Sequence, residues 1–126
     1  MKVIIAGSRN FADYPSMKKK MDNFCKENKI SEIVSGAAKG ADAMGEKYAE
    51  ENGIPVKLFP ADWDTHKRAA GPIRNAQMAD YADCLIAIWD GSSRGTKNMI
   101  DNMHKRKKPV YVMMFNIEVT AHGVCP

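Results

Sequence analysis

Long apolar runs are missing from this 126-residue chain. The stretch 84–89, CLIAIW, is an unbroken apolar run, but it falls far short of the ~20 residues that span a bilayer. Residues 1–7 enter a strand pattern at once, without the charged, apolar and small-residue zones of a signal peptide. We therefore expect a cytoplasmic protein with no membrane partner.

Cysteine is scarce, and the three that occur do not pair. Cys25, Cys84 and Cys125 are odd in number and widely spaced, with no CxxC pair and no histidine at a ligand spacing. This pattern excludes a disulfide framework and a zinc site, so no metal is expected. Cys84 begins an apolar strand and Cys25 falls on the apolar face of a helix, which predicts small core side chains.

The familiar cofactor and catalytic motifs are also absent. No G-x-G-x-x-G follows the first strand and no acidic residue ends the second, which disfavours NAD chemistry. Residues 91–97, GSSRGTK, contain the residue types of a Walker loop in the wrong order, so an ATPase is disfavoured. His66, His104 and His122 are scattered and build no Ser/His/Asp or Cys/His set. No cofactor is expected.

The net charge of +4 comes mostly from two basic clusters, residues 18–20 and 105–108. The first lies on the solvent side of a helix whose other side carries Met17 and Met21. The second lies in the last turn of a helix, where cations complement the helix dipole. No aromatic residues interleave either cluster, which disfavours nucleic acid as a partner.

Apolar runs and helical spacings alternate along the chain. Continuously apolar strands separated by helices predict a parallel sheet covered on both faces. Right-handed crossovers favour a Rossmann-like three-layer α/β sandwich with five strands in the order 3-2-1-4-5. The length fits one domain over residues 1–126. The predicted strands cover residues 2–6, 32–35, 56–59, 84–89 and 110–115. The predicted helices cover about 15–28, 41–52, 71–82 and 95–106, with Ile73 and Ala76 of the third helix facing the sheet. Residues 60–66 are predicted to form a loop, and the tail from 116 is unassigned.

Glycine and polar residues concentrate in the loops that follow the strands. In this strand order, loops 7–13 and 89–95 should flank one crevice, with the loops at Gly36 and Pro60 beside it. Backbone N–H groups and a helix dipole favour an anion there, which predicts a phosphate site. The alternative for residues 89–95 is an ordinary turn that needs glycine only for its backbone angles.

Several side chains in these loops have two interpretations. Arg9 fits a phosphate contact or an exposed surface arginine. Asp42 fits a helix cap or an acceptor for ribose hydroxyls. Arg74 falls in the first turn of a predicted helix, where its charge opposes the dipole, and this inconsistency favours a ligand. Trp63 and Trp89 fit base stacking or a lid over the core.

Five segments stand out when they are taken together: GSR (7–9), SGAAKGAD (35–42), PADW (60–63), AGPIRN (70–75) with Met78, and WDGSSRGT (89–96). This combination resembles the YspA branch of the SLOG superfamily, and the match runs from Lys2 to about Phe115. The resemblance implies a Rossmann-like fold and a nucleotide-derived ligand; the superfamily includes the Lonely Guy phosphoribohydrolases and the DNA-processing protein DprA.

One departure from the Lonely Guy pattern concerns catalysis. Arg74 falls at that family's catalytic arginine, and its glycine loop overlays residues 91–99, with Met99 in the place of the catalytic glutamate. Cleavage of a ribose–base bond needs a carboxylate to stabilise a cationic sugar or to activate water, and methionine does neither. The resemblance thus implies a surviving phosphate and ribose site with altered or absent hydrolysis.

The leading hypothesis is binding or sensing of a nucleotide or nucleotide-derived metabolite, such as one containing ADP-ribose. The rivals are a nucleoside 5′-monophosphate phosphoribohydrolase or related N-glycosidase, using Arg74 with Asp62, Asp90 or Asp42, and a DprA-like DNA-binding protein. Apolar helix faces leave room for a homodimer, which the resemblance also implies. Predicted phosphate contacts are Arg9, Gly36, Gly40, Gly95 and Thr96; ribose contacts are Asp42 and Asp62; Arg74 and Asn75 hold the phosphoribosyl end; and Gly7, Ser8, Trp63, Trp89, Asp90, Gly91 and Ser92 complete the ligand-binding set.

Overall fold

A five-stranded parallel sheet forms the centre of the protein. The structure is a computed structural model and describes residues 1–115. All four strand pairs are parallel and their order is β3-β2-β1-β4-β5, which confirms the predicted Rossmann-like order. The single domain predicted over residues 1–126, with its unassigned tail, extends outside the described residues and stays a prediction. The elements are β1 (Lys2–Gly7), α1 (Tyr14–Glu27), β2 (Glu32–Ser35), α2 (Ala41–Glu51), β3 (Val56–Leu58), α3 (Trp63–His66), α4 (Ala70–Tyr81), β4 (Cys84–Trp89), α5 (Arg94–Lys105) and β5 (Val110–Met114).

The core lies on both faces of the sheet. On one face Val3 and Ile5 of β1 pack with Met17, Met21 and Tyr48 of α1 and α2. On the other face, side chains of β1 and β4 pack with apolar residues of α4 and α5. Because both faces are covered, the central strands are apolar at successive positions, as parallel sheets require.

The two outer strands are partly exposed although their residues are largely apolar. In β3 Leu58 is 50% exposed, and in β5 Met114 is 59% exposed. Each of these strands is paired on one side only, β3 with β2 and β5 with β4. The helices therefore bury the three central strands and leave the sheet edges open to solvent.

The segment before α4 contains a helix where the sequence predicts a loop. Asp62 caps α3, and its carboxylate accepts a hydrogen bond from the Thr65 N–H at 3.2 Å. A 3-10 turn (Lys67–Ala69) then leads into α4, which starts at Ala70. Arg74 consequently lies in the second turn of α4, so its predicted conflict with the helix dipole is wrong.

The face that α4 buries also differs from the prediction. Met78 and Ala79 are buried as expected, but Ile73 is 36% exposed and Ala76 is half-buried. Asn75 occupies a buried position instead. At about 100° per residue, the five-residue separation of Ile73 and Met78 places these two side chains about 140° apart around the helix.

The two basic clusters differ in their contacts, and the two described cysteines differ in their burial. Residues 18–20 are exposed, as predicted. In the second cluster Lys108 Nζ donates to the carbonyls of Ala79, Asp80 and Ala82 at 2.7, 3.1 and 2.8 Å, so it caps the neighbouring helix α4. Cys84 is buried and Cys25 is half-buried, whereas Cys125 lies outside the described residues.

Within residues 1–115, no helix combines the length and the apolar character needed to cross a bilayer. The cytoplasmic location and the homodimer stay predictions, because this finding tests neither.

Candidate functional site

A crevice opens at the carboxyl ends of β1 and β4. The chain leaves these adjacent strands in opposite directions across the sheet, which separates the two loops and creates a cavity of 520 Å³. The predicted meeting of these two loops is confirmed, while ligand binding there stays a prediction. The cavity is lined by Ala6, Gly7, Ser8, Arg9, Asn10, Ala38, Asp42, Arg74, Asn75, Met78, Asp90, Ser93, Gly95, Thr96 and Met99.

Two glycines allow backbone segments to pack directly against each other below the crevice. A Cβ at Gly7 would lie 2.0 Å from the Ile88 carbonyl oxygen. Gly40 has a φ of 71°, and a Cβ there would lie 2.4 Å from the carbonyl oxygens of Ser8 and Arg9. Close packing within the protein thus explains both glycines without a ligand.

Ser8 carries a buried hydroxyl without a hydrogen-bond partner in the wall of the crevice. The residue lines the cavity and is 3% exposed, and Oγ has no hydrogen-bond partner within residues 1–115. A buried polar atom without a partner costs about 1–3 kcal/mol. Because a hydroxyl both donates and accepts, a polar ligand in the crevice would satisfy it.

The Arg74 guanidinium is held by hydrogen bonds but retains free donors. One terminal nitrogen donates to the Gly36 carbonyl at 2.5 Å, and Nε donates to Asn75 Oδ1 at 3.0 Å. Burial lowers the pKa of Arg74 and the charge of Arg9 lowers it further, whereas Asp42 raises it. Two of its five N–H donors thus find acceptors within residues 1–115, and the others are available to an anion.

Asp42 is a buried carboxylate in the first turn of α2. The residue is 5% exposed, and Oδ2 accepts a hydrogen bond from the Ala38 N–H at 3.4 Å. Burial raises the pKa of Asp42 to about 6, against the opposing effects of that hydrogen bond and of the Arg74 charge. Gly40, not Asp42, is the N-cap of α2, so the helix-cap interpretation of Asp42 is wrong.

The loop after β4 exposes the first turn of α5. Asp90 Oδ1 accepts hydrogen bonds from the N–H groups of Ser92 and Ser93 at 2.9 and 2.8 Å, and these bonds lower the pKa of Asp90. Ser93 is the N-cap, but its side chain makes no capping hydrogen bond; its hydroxyl oxygen accepts from the Thr96 hydroxyl at 3.3 Å. The helix start is therefore open to an anionic group.

Asn75 connects Arg74 to α5. Its Oδ1 accepts from Arg74, while Nδ2 donates to the Gly95 carbonyl at 3.3 Å and to Asn98 Oδ1 at 3.0 Å. Asn102 Nδ2 in turn donates to the Asn98 carbonyl at 2.9 Å. Sequence reasoning missed Asn98, although asparagines four residues apart on an amphipathic helix offered a signal.

Several predicted site residues lie outside the crevice. Asp62 caps α3, and Gly91 and Ser92 line neither the crevice nor the cavity beside it. Trp89 is half-buried, packs against the core and donates from Nε1 to the Ser93 carbonyl at 3.1 Å, which fits a lid better than a stacking platform. Trp63 is 49% exposed and lines the adjoining cavity.

Met99 lies in the crevice wall, at the position where the resemblance places a catalytic glutamate. It is 1% exposed and packs in the core with Met78 of α4. The carboxylates that line the crevice are Asp42 and Asp90, of which Asp90 holds its own loop through two backbone hydrogen bonds.

Replacing Gly36 by alanine is expected to displace the site while the fold persists. A Cβ there would lie 2.6 Å from an Arg74 guanidinium nitrogen and 2.8 Å from Asp42 Oδ2. Both are side-chain atoms that can move, so we expect a small change in unfolding free energy but a loss of about tenfold or more in affinity for the nucleotide ligand that the sequence predicts. Chemical denaturation and calorimetric titration measure the two effects. Gly71→Ala is the control, because its Cβ would meet only Trp63 at 3.5 Å; equal affinity in both variants would contradict the prediction.

Comparison with known proteins gives three likenesses. A family model described as the YspA, cpYpsA-related SLOG family matches residues 1–66. The Gene 61 protein of Mycobacterium phage D29 is 30% identical over 116 residues, covering 86% of this chain and 93% of that protein. The X-ray structure of DNA processing protein A (DprA) from Streptococcus pneumoniae superposes with a TM-score of 0.75 at 21% identity, over 92% of this chain and 51% of that one. This chain spans about half the length of the DprA structure, and that likeness shows the fold alone.

Proposed function

This chain belongs to the YspA, cpYpsA-related SLOG family, and on that premise we propose that it binds a nucleotide or nucleotide-derived metabolite in the crevice between the β1 and β4 loops. The observation that carries the proposal is the Ser8 hydroxyl, buried without a partner in the crevice wall. A structural turn gives no reason for this arrangement, because an unsatisfied buried hydroxyl is unfavourable. A polar ligand supplies the missing hydrogen bond.

The other crevice groups fit the parts of a phosphorylated nucleoside. The open first turn of α5 at Gly95 and Thr96, with the exposed Arg9, suits a phosphate. Asp42 suits ribose hydroxyls, because its carboxylate lines the crevice while Asp62 is engaged as a helix cap. The free donors of Arg74 suit the phosphoribosyl end.

Hydrolysis of the base–ribose bond is the second candidate function, and one observation favours it. Asp42 has a pKa raised to about 6, close to the working pH at which a general acid or base is most effective. The buried Met99 disfavours it, because a thioether replaces the expected carboxylate. Of the three carboxylates predicted for this role, Asp62, Asp90 and Asp42, the last would then be the catalytic one.

Arg74→Ala is expected to lower nucleotide affinity about tenfold or more, since a charge-assisted contact contributes roughly 1.5–3 kcal/mol. Wild type and variant are titrated by calorimetry with AMP, GMP, CMP and UMP at moderate salt. Arg68→Ala is the matched control: it removes the same charge from an exposed position in the turn before α4. Equal losses in both variants would mean that overall charge, and not the crevice, determines binding.

Two parallel measurements separate the rival functions. Chromatography of the titrated mixtures detects free base; turnover that Arg74→Ala abolishes would replace pure binding with hydrolysis. Mobility shifts with single-stranded oligonucleotides, at low and then at higher salt, detect the steeply salt-dependent affinity of DNA binding. If no nucleotide binds and mass spectrometry finds no nucleotide released from the denatured protein, the proposed function is wrong.

A further inference from the structure

A second cavity of 380 Å³ lies next to the crevice, and we call it the second chamber. Arg9, Ala38 and Arg74 line both spaces, so these residues form their common wall. The remaining walls come from the loop after β2 and from the segment that precedes α3. The second chamber is lined by Arg9, Gly36, Ala37, Ala38, Lys39, Pro60, Ala61, Trp63 and Arg74.

The charges that line the two spaces differ. The crevice carries two carboxylates, Asp42 and Asp90, beside its two arginines, so its formal charges balance. The second chamber carries the same two arginines and Lys39, and no carboxylate from residues 1–115 lines it. A concave surface lined by one sign of charge concentrates counter-ions, so the second chamber favours an anionic group.

The common wall would itself be stabilised by an anion. The charge of Arg9 lowers the pKa of Arg74, which means that the two cations repel each other where the two spaces meet. An anionic group bound between them would relieve this repulsion. Arg74 has free donors for that contact, because its hydrogen bonds to Gly36 and Asn75 use only two of its five N–H groups.

The loop that carries Lys39 is held in place by hydrogen bonds. The Ala37 N–H donates to Ser35 Oγ at 3.1 Å, and the Ser35 hydroxyl donates to Glu46 at 2.7 Å. Lys39 itself is exposed and makes no hydrogen bond or salt bridge within residues 1–115. A lysine ammonium in this situation suits phosphate as a point charge.

We propose that the second chamber is a subsite for a second phosphate, in which Lys39 selects ligands with two linked phosphates over ligands with one. This inference rests on the proposed function, because the first phosphate and the nucleoside occupy the crevice. Lys39 determines specificity, and Arg9 and Arg74 contact both phosphates from the common wall. The ligand class is a nucleoside diphosphate, free or as part of a larger molecule.

The test is the affinity ratio between nucleoside diphosphates and monophosphates. ADP and AMP, and the corresponding pairs with the other three bases, are titrated into wild type, Lys39→Gln and Lys19→Gln. Wild type is expected to prefer the diphosphate by about tenfold or more, and Lys39→Gln is expected to lose most of this preference while its monophosphate affinity changes little. Lys19→Gln is the matched control, since it removes an equal charge from the exposed face of α1.

Inorganic pyrophosphate distinguishes the sources of the two phosphates. If pyrophosphate competes with the nucleotide and Lys39→Gln weakens this competition, two linked phosphates suffice for binding. If only the nucleoside diphosphate competes, the linked phosphates must carry a nucleoside. Either result supports the subsite. The subsite is overturned if wild type shows no preference for the diphosphate, or if Lys39→Gln keeps that preference unchanged. The proposed function stays intact in that case if AMP or another monophosphate binds through Arg74. Failure of every nucleotide to bind overturns both.

Discussion

Asp42→Asn is expected to stabilise the protein at neutral pH and to weaken nucleotide binding. The carboxylate is 5% exposed, and burial raises its pKa from 3.8 to about 6. Above that pH the protein keeps a charge in a desolvated position, which is unfavourable even with Arg74 nearby. Asparagine has a similar shape without the charge, so the variant loses this penalty together with the acceptor proposed for ribose. If the uncharged variant has a higher unfolding free energy but a lower nucleotide affinity, the carboxylate of Asp42 serves function and not stability.

The pH dependence follows from the direction of the shift. Between pH 3.8 and about 6 the folded protein binds a proton at Asp42 that the unfolded chain has released. The stabilisation from the protonated form is fully present below pH 3.8 and is lost as the pH rises through about 6. The stability of Asp42→Asn relative to wild type should therefore increase by about 2 kcal/mol between pH 4 and pH 7.

Urea denaturation of both proteins at pH 4 and pH 7 measures this difference, and the comparison cancels other titrating groups. Asp101→Asn is the matched control, because Asp101 is exposed and forms a surface salt bridge with Lys97 that contributes little. A relative stability of Asp42→Asn that stays constant across this pH range would contradict a carboxylate whose burial outweighs its hydrogen bonds and the charge of Arg74.

Gly7→Ala is expected to lower the unfolding free energy by about 3 kcal/mol, at the upper end of overpacking costs. Gly7 is paired with Ile88 across β1 and β4, and an added Cβ would lie 2.0 Å from the Ile88 carbonyl oxygen and 3.0 Å from Ala41 Cβ. The obstacle is backbone on a central strand, which has no rotamer to change. The two strands, or α2, must move apart, and this movement opens the crevice as well.

Gly95→Ala is the control for Gly7→Ala, because an added Cβ at Gly95 would meet nothing within 4 Å. In the first turn of α5, alanine should stabilise the protein by roughly 0.5 kcal/mol. Thermal and urea denaturation measure both variants. A change below about 1 kcal/mol in Gly7→Ala would show that the strands adapt easily. If Gly95→Ala loses nucleotide affinity without losing stability, that glycine serves the approach of a ligand.

The general arrangement of the site follows from local patterns along the chain. Apolar strands alternating with amphipathic helices predict a parallel sheet, and right-handed crossovers leave few strand orders. The order places Gly7 and Gly95 at one switch point, and the structure confirms that their loops meet there. Composition around these loops was therefore a sound guide to where the crevice lies.

Individual side chains were less predictable, because their surroundings come from distant parts of the chain. Asp62 has the sequence context of a site loop, but a single turn of helix begins beside it and takes its carboxylate as a cap. That turn also moves Arg74 from the first to the second turn of α4. The pKa of Asp42 depends on hydrogen bonds from the loop after β2 and on the charge of Arg74, which is 32 residues further along the chain.

Periodicity and crossover geometry were enough to predict the strand order and the position of the crevice, because each depends on repeated local preferences that sum over many residues. The family came from the resemblance of five sequence segments. The exposure of β3 and β5, the unsatisfied Ser8 hydroxyl and the cationic second chamber around Lys39 emerged from the folded chain. Each of these features depends on which residues from different elements come within contact distance, and no local pattern contains that information.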